Sequence, residues 1–243
     1  MMIEITGITK SFSTGPGEVL AVDHASLTVG KGEFVLILGR SGSGKSTLLG
    51  MLAGLIRPTF GRIRIRERDI SALPDDQMAE IRAREIGFVF QFSGLIPTVT
   101  ALENVLIPTL FWPEGPGNRE KALALLEKVG MGDRADAFPG TLSSGEMKRV
   151  AIARALINSP SILIADEPTG DLDVDTESEI MGLFRRLNSE GITIVMVTHN
   201  PDLIPCASHI YAMTRGNLVK NPDPTLCRGG IPAPAGDRTK DRQ

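Results

Sequence analysis

The chain has 243 residues, enough for one large domain or a core domain carrying a subdomain. Its 42% hydrophobic and 23% charged residues are ordinary for a globular protein, and a net charge of −3 with a pI near 5.7 gives no broad basic footprint for nucleic acid. Its two cysteines, Cys206 and Cys227, make neither a disulfide framework nor metal-ligand spacing. The N-terminus lacks a signal-peptide pattern, and no apolar run nears the roughly 18 residues of a spanning helix, so the chain is expected in the cytoplasm unless a partner holds it at a membrane.

In chain order, Met2–Thr9, Val19–Val29 and Gly61–Ile65 are short, alternating segments between glycine-bearing turns. They predict a small antiparallel sheet on either side of a phosphate-binding loop. Phe34–Leu38, Ile86–Phe90, Ile162–Ala165 and Ile192–Val197 are short continuous apolar runs, which predict buried parallel strands joined by crossover helices. The fold class is therefore α/β, with a mostly parallel sheet, a small antiparallel β subdomain and an inserted helical subdomain.

The strand Phe34–Leu38 runs into Gly39-Arg-Ser-Gly-Ser-Gly-Lys-Ser46, and Thr47–Ala53 then reads as a helix. This is a complete G-x-x-x-x-G-K-[ST] motif in the strand–loop–helix context it needs. Its backbone N–H groups and the helix N-terminus make an anion site for nucleoside triphosphate. Lys45 is placed to reach the β- and γ-phosphates and Ser46 to help hold Mg²⁺.

From about Thr98 to Ile157 the strand signals give way to helical ones. Thr100 and Glu103 have capping-box spacing and open a helix that Pro108 and Pro113 interrupt, and Pro116-Gly117 marks a loop. Asn118–Val129 predicts an amphipathic helix stopped by Gly130. Leu142-Ser-Ser-Gly-Glu146 precedes the helix Met147–Ile157; Ser143 and Glu146 also have capping-box spacing, so this segment serves equally as a helix start or as an anion site.

Ser161–Glu167 is an apolar strand ending in two carboxylates, at the sheet edge where open α/β sheets bind ligands. Asp166 is placed to hold Mg²⁺, and Glu167 is the candidate base for attack on the γ-phosphate. Gln91 and His199 each follow a predicted core strand and face the same edge. The tail 221–243, with four prolines and little to bury, is expected to be disordered.

In this order the motifs resemble the ATP-binding cassette family, over about Met1 to Asn217. The resemblance makes residues 1–220 one nucleotide-binding domain, with a helical subdomain at about 93–157. It makes Gly39, Arg40, Ser41, Gly42, Ser43, Gly44, Lys45, Ser46 and Thr47 the Walker A loop, and Gln91 the Q-loop glutamine, near Mg²⁺ with Ser46 and Asp166. Ser143, Ser144, Gly145 and Glu146 become the signature motif, Asp166 and Glu167 Walker B and its catalytic glutamate, and His199 the switch histidine. Gly170–Asp173 stands at the D-loop, and Phe12 matches an aromatic that stacks on adenine.

The family further implies ATP and Mg²⁺ as cofactors and a head-to-tail homodimer in which each signature caps the other subunit's ATP. It also implies an integral membrane permease docked near residues 91–112, where Leu95, Ile96, Phe111 and Trp112 suit such a contact. Phe88–Val105, with Pro168–Asp173 and Val150–Leu156, resembles the branch of lipoprotein-releasing, macrolide-exporting and cell-division cassettes. The implied function is ATP hydrolysis powering export or extracytoplasmic mechanical work. A regulatory tether for a membrane effector and a soluble cassette acting on nucleic acid or ribosomes are the alternatives; the latter usually carry two cassettes or a coiled-coil insertion, and this chain has neither. Ser144 replaces a usual glycine, Glu146 ends the signature, and Asp171 replaces a usual asparagine, which predicts a slowed ATPase with its catalytic residues complete.

Overall fold

The structure is a computed structural model that describes residues 1–220 except 16, 113, 114 and 116. The expectations placed on Pro113, Pro116, Cys227 and the tail 221–243 lie outside the described residues.

Two sheets organise the chain. The first is antiparallel and contains β1 (Ile3–Thr14), β2 (Gly17–Val29), β4 (Phe60–Ile65) and β5 (Arg68–Asp69), in the order β2-β1-β4-β5. The second contains β3 (Phe34–Leu38), β6 (Ile86–Val89), β7 (Ile162–Asp166), β8 (Thr193–Thr198), β9 (His209–Thr214) and β10 (Asn217–Lys220). Its order is β10-β9-β3-β8-β7-β6, parallel throughout except at β10.

Side chains alternate across a strand, so an apolar run such as Phe34–Leu38 must feed two cores at once. Phe34, Leu36 and Leu38 join one core with α3 (Ala101–Leu106), α4 (Arg119–Lys128), α5 (Ser144–Leu156) and α6 (Val174–Ser189). Val35 and Ile37 join the other, with α1 (Lys45–Leu52), α2 (Asp75–Glu85) and the antiparallel sheet. The central sheet is thus sandwiched, and its carboxyl edge is left to carry loops.

Both predicted capping boxes form. The Thr100 hydroxyl accepts from Glu103 N–H while the Glu103 carboxylate accepts from Thr100 N–H, and Ser143 and Glu146 repeat the arrangement. Asn118 caps α4, and Gly130 ends it with φ of 75°. Pro108, which lacks an N–H, ends α3 by drawing the chain into a 3₁₀ turn over Ile107–Phe111. Thr100→Ala should cost about 1 kcal/mol of stability, lowering the thermal midpoint by about 2–4 °C in a chain of this size; circular dichroism melting checks it.

The edge of the parallel sheet departs from expectation. The hairpin β9–β10 carries no Asn-Gly or Asp-Gly signal; its turn is Arg215-Gly216, with φ of 47° and 83°, the left-handed pair that a two-residue hairpin turn demands. It docks hard: Gly216 N–H donates to Ser43 O at 2.9 Å and Asp23 N–H to Gly216 O at 2.9 Å, pinning the hairpin between the glycine-rich loop and β2.

Candidate functional site

The glycine-rich loop turns out of β3 and enters α1 through Gly44, whose φ is 105°. A Cβ at Gly44 would lie 2.1 Å from Ala21 O, so both the backbone conformation and the close approach of β2 require glycine here. Lys45 is 5% exposed, and its Nζ donates to Gly39 O at 2.8 Å and Arg40 O at 3.2 Å. The same ammonium lies 3.1 Å from Glu167 Oε1.

Glu167 leaves β7 with φ of 43°, a conformation uncommon for a residue with a side chain and one found at functional turns. Its N–H donates to Val197 O at 3.0 Å, which fixes the turn against β8. The other carboxylate oxygen, Oε2, meets His199 Nδ1. Lys45, Glu167 and His199 therefore form a chain of three ionisable groups along the carboxyl edge of the sheet.

Asp166, one residue earlier, has Oδ1 buried without a hydrogen-bond partner. Burial pushes its carboxyl above the usual range, and the neighbouring Glu167 charge adds to this, while a hydrogen bond with Ser46 and the Lys45 charge oppose it. An orphaned carboxylate oxygen beside a serine hydroxyl is a pair of hard oxygen donors, which fits Mg²⁺. Among the described residues no cluster of three or more His, Cys, Asp or Glu could hold a metal alone.

Lys45, Ser46, Glu167 and His199 open into a cleft of about 900 Å³ whose lining also includes Arg40, Ser41, Gly42, Ser43, Gly44, Thr47 and Gln91, with Val19, Leu20, Ala21, Arg215 and Gly216 beside the loop. Asp166 lines the apolar cavity described below and, with Gly39, stays outside the lining of this cleft. Phe12 is not among its lining residues. It lies 40% exposed with Lys10 Nζ 5.0 Å from its ring centroid, and its cross-strand neighbour Val19 lines the cleft instead.

Ser143, Ser144, Gly145 and Glu146 are not in this cleft either. They form the cap and first turn of α5, where the Ser143 N–H holds the Glu146 carboxyl below its usual range. Gly145 approaches α6 so closely that a Cβ would stand 2.5 Å from Thr176 Cγ2, and Thr176 N–H donates to Asp173, the cap of α6. The two helix N-termini thus sit side by side, away from the phosphate loop of their own chain.

A second cavity, of about 890 Å³, opens between α2, β6 and the 3₁₀ turn, and is lined by Leu55, Phe88, Phe90, Phe92, Ile107 and Phe111 among others. Gln91 lines both cavities. Phe92 and Phe111 are 74% and 79% exposed. Leu95 packs against the core, and Trp112 is half-buried with Arg84 Cζ 5.3 Å from its ring centroid.

The chain matches the ABC transporter family model over residues 22–170. It belongs to the ABC transporter family. As a member it is an ATP-binding cassette with ATPase activity. It is 44% identical over 224 residues to the macrolide export ATP-binding/permease protein MacB of Rhodopirellula baltica, covering 90% of this chain and 33% of that protein. This chain spans about a third of the length of the MacB relatives it matches. An uncharacterized ABC transporter ATP-binding protein of Bacillus subtilis, YvrO, is 45% identical over 219 residues, covering 90% of this chain and 96% of its own length. A solved dimeric ATP-binding cassette in a post-hydrolysis state, bound to ADP and Pi, superposes with a TM-score of 0.84 at 38% identity, covering 91% of this chain and 100% of that one.

Several residues of this cassette escaped sequence reasoning. Arg215 reaches the cleft only because the β9–β10 hairpin docks on the loop. Glu177 of α6 accepts from Thr169 Oγ1 at 2.8 Å and Asn200 Nδ2 at 2.9 Å, joining the turns after β7 and β8. Lys148, 5% exposed on α5, donates to Phe90 O and Gln91 O; burial lowers its pKa, and the Asp171 charge opposes that. A lysine in an amphipathic helix reads as solvated surface, so no spacing marks it.

Proposed function

We propose that the cassette hydrolyses MgATP between two head-to-tail copies of the chain and drives an integral membrane partner seated on the apolar groove. One observation carries this reading: Lys45, Ser46, Glu167, Gln91 and His199 converge on one cleft, with Asp166 hydrogen-bonded to Ser46 behind it, while Ser143–Glu146 form a second helix N-terminus outside the lining of that cleft. A second copy brings that terminus to the first copy's phosphates.

Phosphoryl transfer asks mainly for positioning and charge stabilisation. The Walker A amides of Gly39–Thr47 and the Lys45 ammonium bind the phosphates. Lys45 is paired with Glu167, so incoming phosphate exchanges one anion for another on the same ammonium. The exchange frees the Glu167 carboxylate to accept a hydrogen bond from water. The water oxygen then attacks the γ-phosphorus, the bond to the β–γ bridging oxygen breaks, and Glu167 takes the water proton. His199, released from Glu167, donates to a γ-phosphate oxygen, and Gln91 orients the water. Ser46, Asp166 and Gln91 would hold Mg²⁺, which would supply positive charge against the phosphates. Val19 offers apolar surface for the base, with Phe12 its cross-strand neighbour, and Asp173 orders the seam beside the signature.

The apolar groove suits an amphipathic helix of the membrane partner, with Phe90, Phe92, Ile96 and Phe111 as anchors. MacB relatives, named as export ATP-binding/permease proteins, support export as the task. Among the described residues no helix is long and apolar enough to cross a membrane.

Light scattering tests the pairing: the chain with Glu167→Gln, which keeps its ATP unhydrolysed, should become dimeric only with ATP, and a monomer at saturating ATP would count against it. Ser144 sits exposed at the first helical position of α5 and adds a Cβ where the signature meets phosphate. Ser144→Gly should speed turnover and dimerisation roughly fivefold, a gain of about 1 kcal/mol in the transition state; an unchanged rate would remove Ser144 as the cause of slow hydrolysis.

A further inference from the structure

The stretch between the two cavities is held in an unusual way. Phe90 to Gly94 leaves β6 without joining a sheet, and its carbonyls are taken up by two side chains of a single helix. Lys148 Nζ donates to Gln91 O at 2.6 Å and Phe90 O at 3.2 Å. Six residues later on α5, Arg154 donates to Gly94 O and Ser93 O, both at 2.7 Å. Lys148 is almost wholly buried, so its ammonium has exchanged water for these carbonyls, and Asp171, in the loop after β7, supplies the nearby negative charge.

We infer that Lys148 is a positioning residue for hydrolysis: it fixes the backbone at Gln91 so that this side chain stands on the wall between groove and phosphate cleft, and it ties that backbone to the helix whose first turn is Ser143–Glu146. The inference rests on the proposed role of Gln91. Its physical basis is the geometry of the carbonyl contacts. A cation on two adjacent carbonyls restrains the orientation of the peptide between them, and so the direction in which the Gln91 side chain leaves the chain. Nothing in this arrangement touches the glycine-rich loop, so the affinity for nucleotide should be independent of Lys148. Because the same helix bears the signature one turn before Lys148, a displacement of Phe90–Gly94 must displace α5, and the two act as one body.

The experiment compares the full chain with Lys148→Met, which keeps length and loses every donor, and with Lys148→Gln, which restores N–H donors without charge. Lys148→Met should lower kcat for MgATP about tenfold with KM within about threefold of wild type. Lys148→Gln should recover kcat to within about threefold. Wild-type kcat in Lys148→Met, a change confined to KM, or a Lys148→Gln no better than Lys148→Met each overturns the inference. Gln91→Ala, measured alongside, separates the two readings. If it keeps wild-type kcat, the role of Gln91 fails; if it is slow while Lys148→Met is unaffected, only Lys148 is misassigned. Should Lys148→Met not fold, hydrogen exchange on the wild-type chain decides. Peptides covering 90–94 and 143–149 should gain protection together when MgATP is added, and a response in one without the other overturns the coupling.

Discussion

Glu167→Gln should lower ATP turnover by about 10²–10³-fold, the range over which a positioned general base acts, while leaving nucleotide binding intact or tighter. The amide keeps the shape of the side chain but accepts no proton, so the water is no longer activated. It also removes the anion that holds the Lys45 ammonium at 3.1 Å, and incoming phosphates then meet a cation with one competitor fewer. Bound ATP, unhydrolysed, should hold two copies together, giving a stable dimer on size exclusion that wild type shows only transiently. Phosphate-release kinetics read the first effect and light scattering the second. A variant that keeps wild-type turnover would show that the proton goes elsewhere.

Lys45→Met should have the opposite signature, a loss of binding. Each hydrogen bond from an ammonium to phosphate is worth about 1.5–3 kcal/mol, so losing two should weaken ATP binding by roughly 10²-fold or more. The fold should survive, because Met fills a buried site that Lys45 occupies mainly with its alkyl stem, and the loop keeps its own bonds, Gly39 N–H to Thr198 O and Ser43 N–H to Arg40 O. Stabilisation by ligand follows the ratio of its concentration to Kd. MgATP should therefore raise the melting midpoint of wild type and leave Lys45→Met where it was. An equal rise in both would remove Lys45 from the phosphate site.

The comparison of sequence with structure divides along a physical line. Whatever depends on local periodicity was readable: the four buried parallel strands, the antiparallel segments, and the two capping boxes at Thr100 and Ser143. The glycine-rich loop was readable because Gly44 sits where only glycine fits. The hairpin β9–β10 was not, because its Arg215-Gly216 turn draws its geometry from docking against Ser43 and Asp23. Lys148 and Arg154 were invisible for a related reason. A cation on a helix looks solvated until a distant loop folds its carbonyls over it. Phe12 shows the reverse: an aromatic matched only by its place near a strand end, which the fold sets outside the cleft lining, with Val19 lining the cleft instead.

The loop from Phe90 to Thr100 has a consequence for how such a subunit changes partners. Lys148 and Arg154 hold its first half by carbonyls, and Asn104, fully buried, holds the second: its Nδ2 donates to the carbonyls of Ile96, Val99 and Thr100, and its Oδ1 accepts from Ile96 N–H. The main chain is thus held by its peptide groups, while the side chains of Phe90, Phe92 and Ile96 remain exposed. Substitution at these three positions can reshape the groove, the proposed seat of a membrane partner, while Gln91 keeps its place. Insertion or deletion cannot, because one residue more or fewer moves every carbonyl off its donor. In such a loop, divergence proceeds by exchange of residues at constant length.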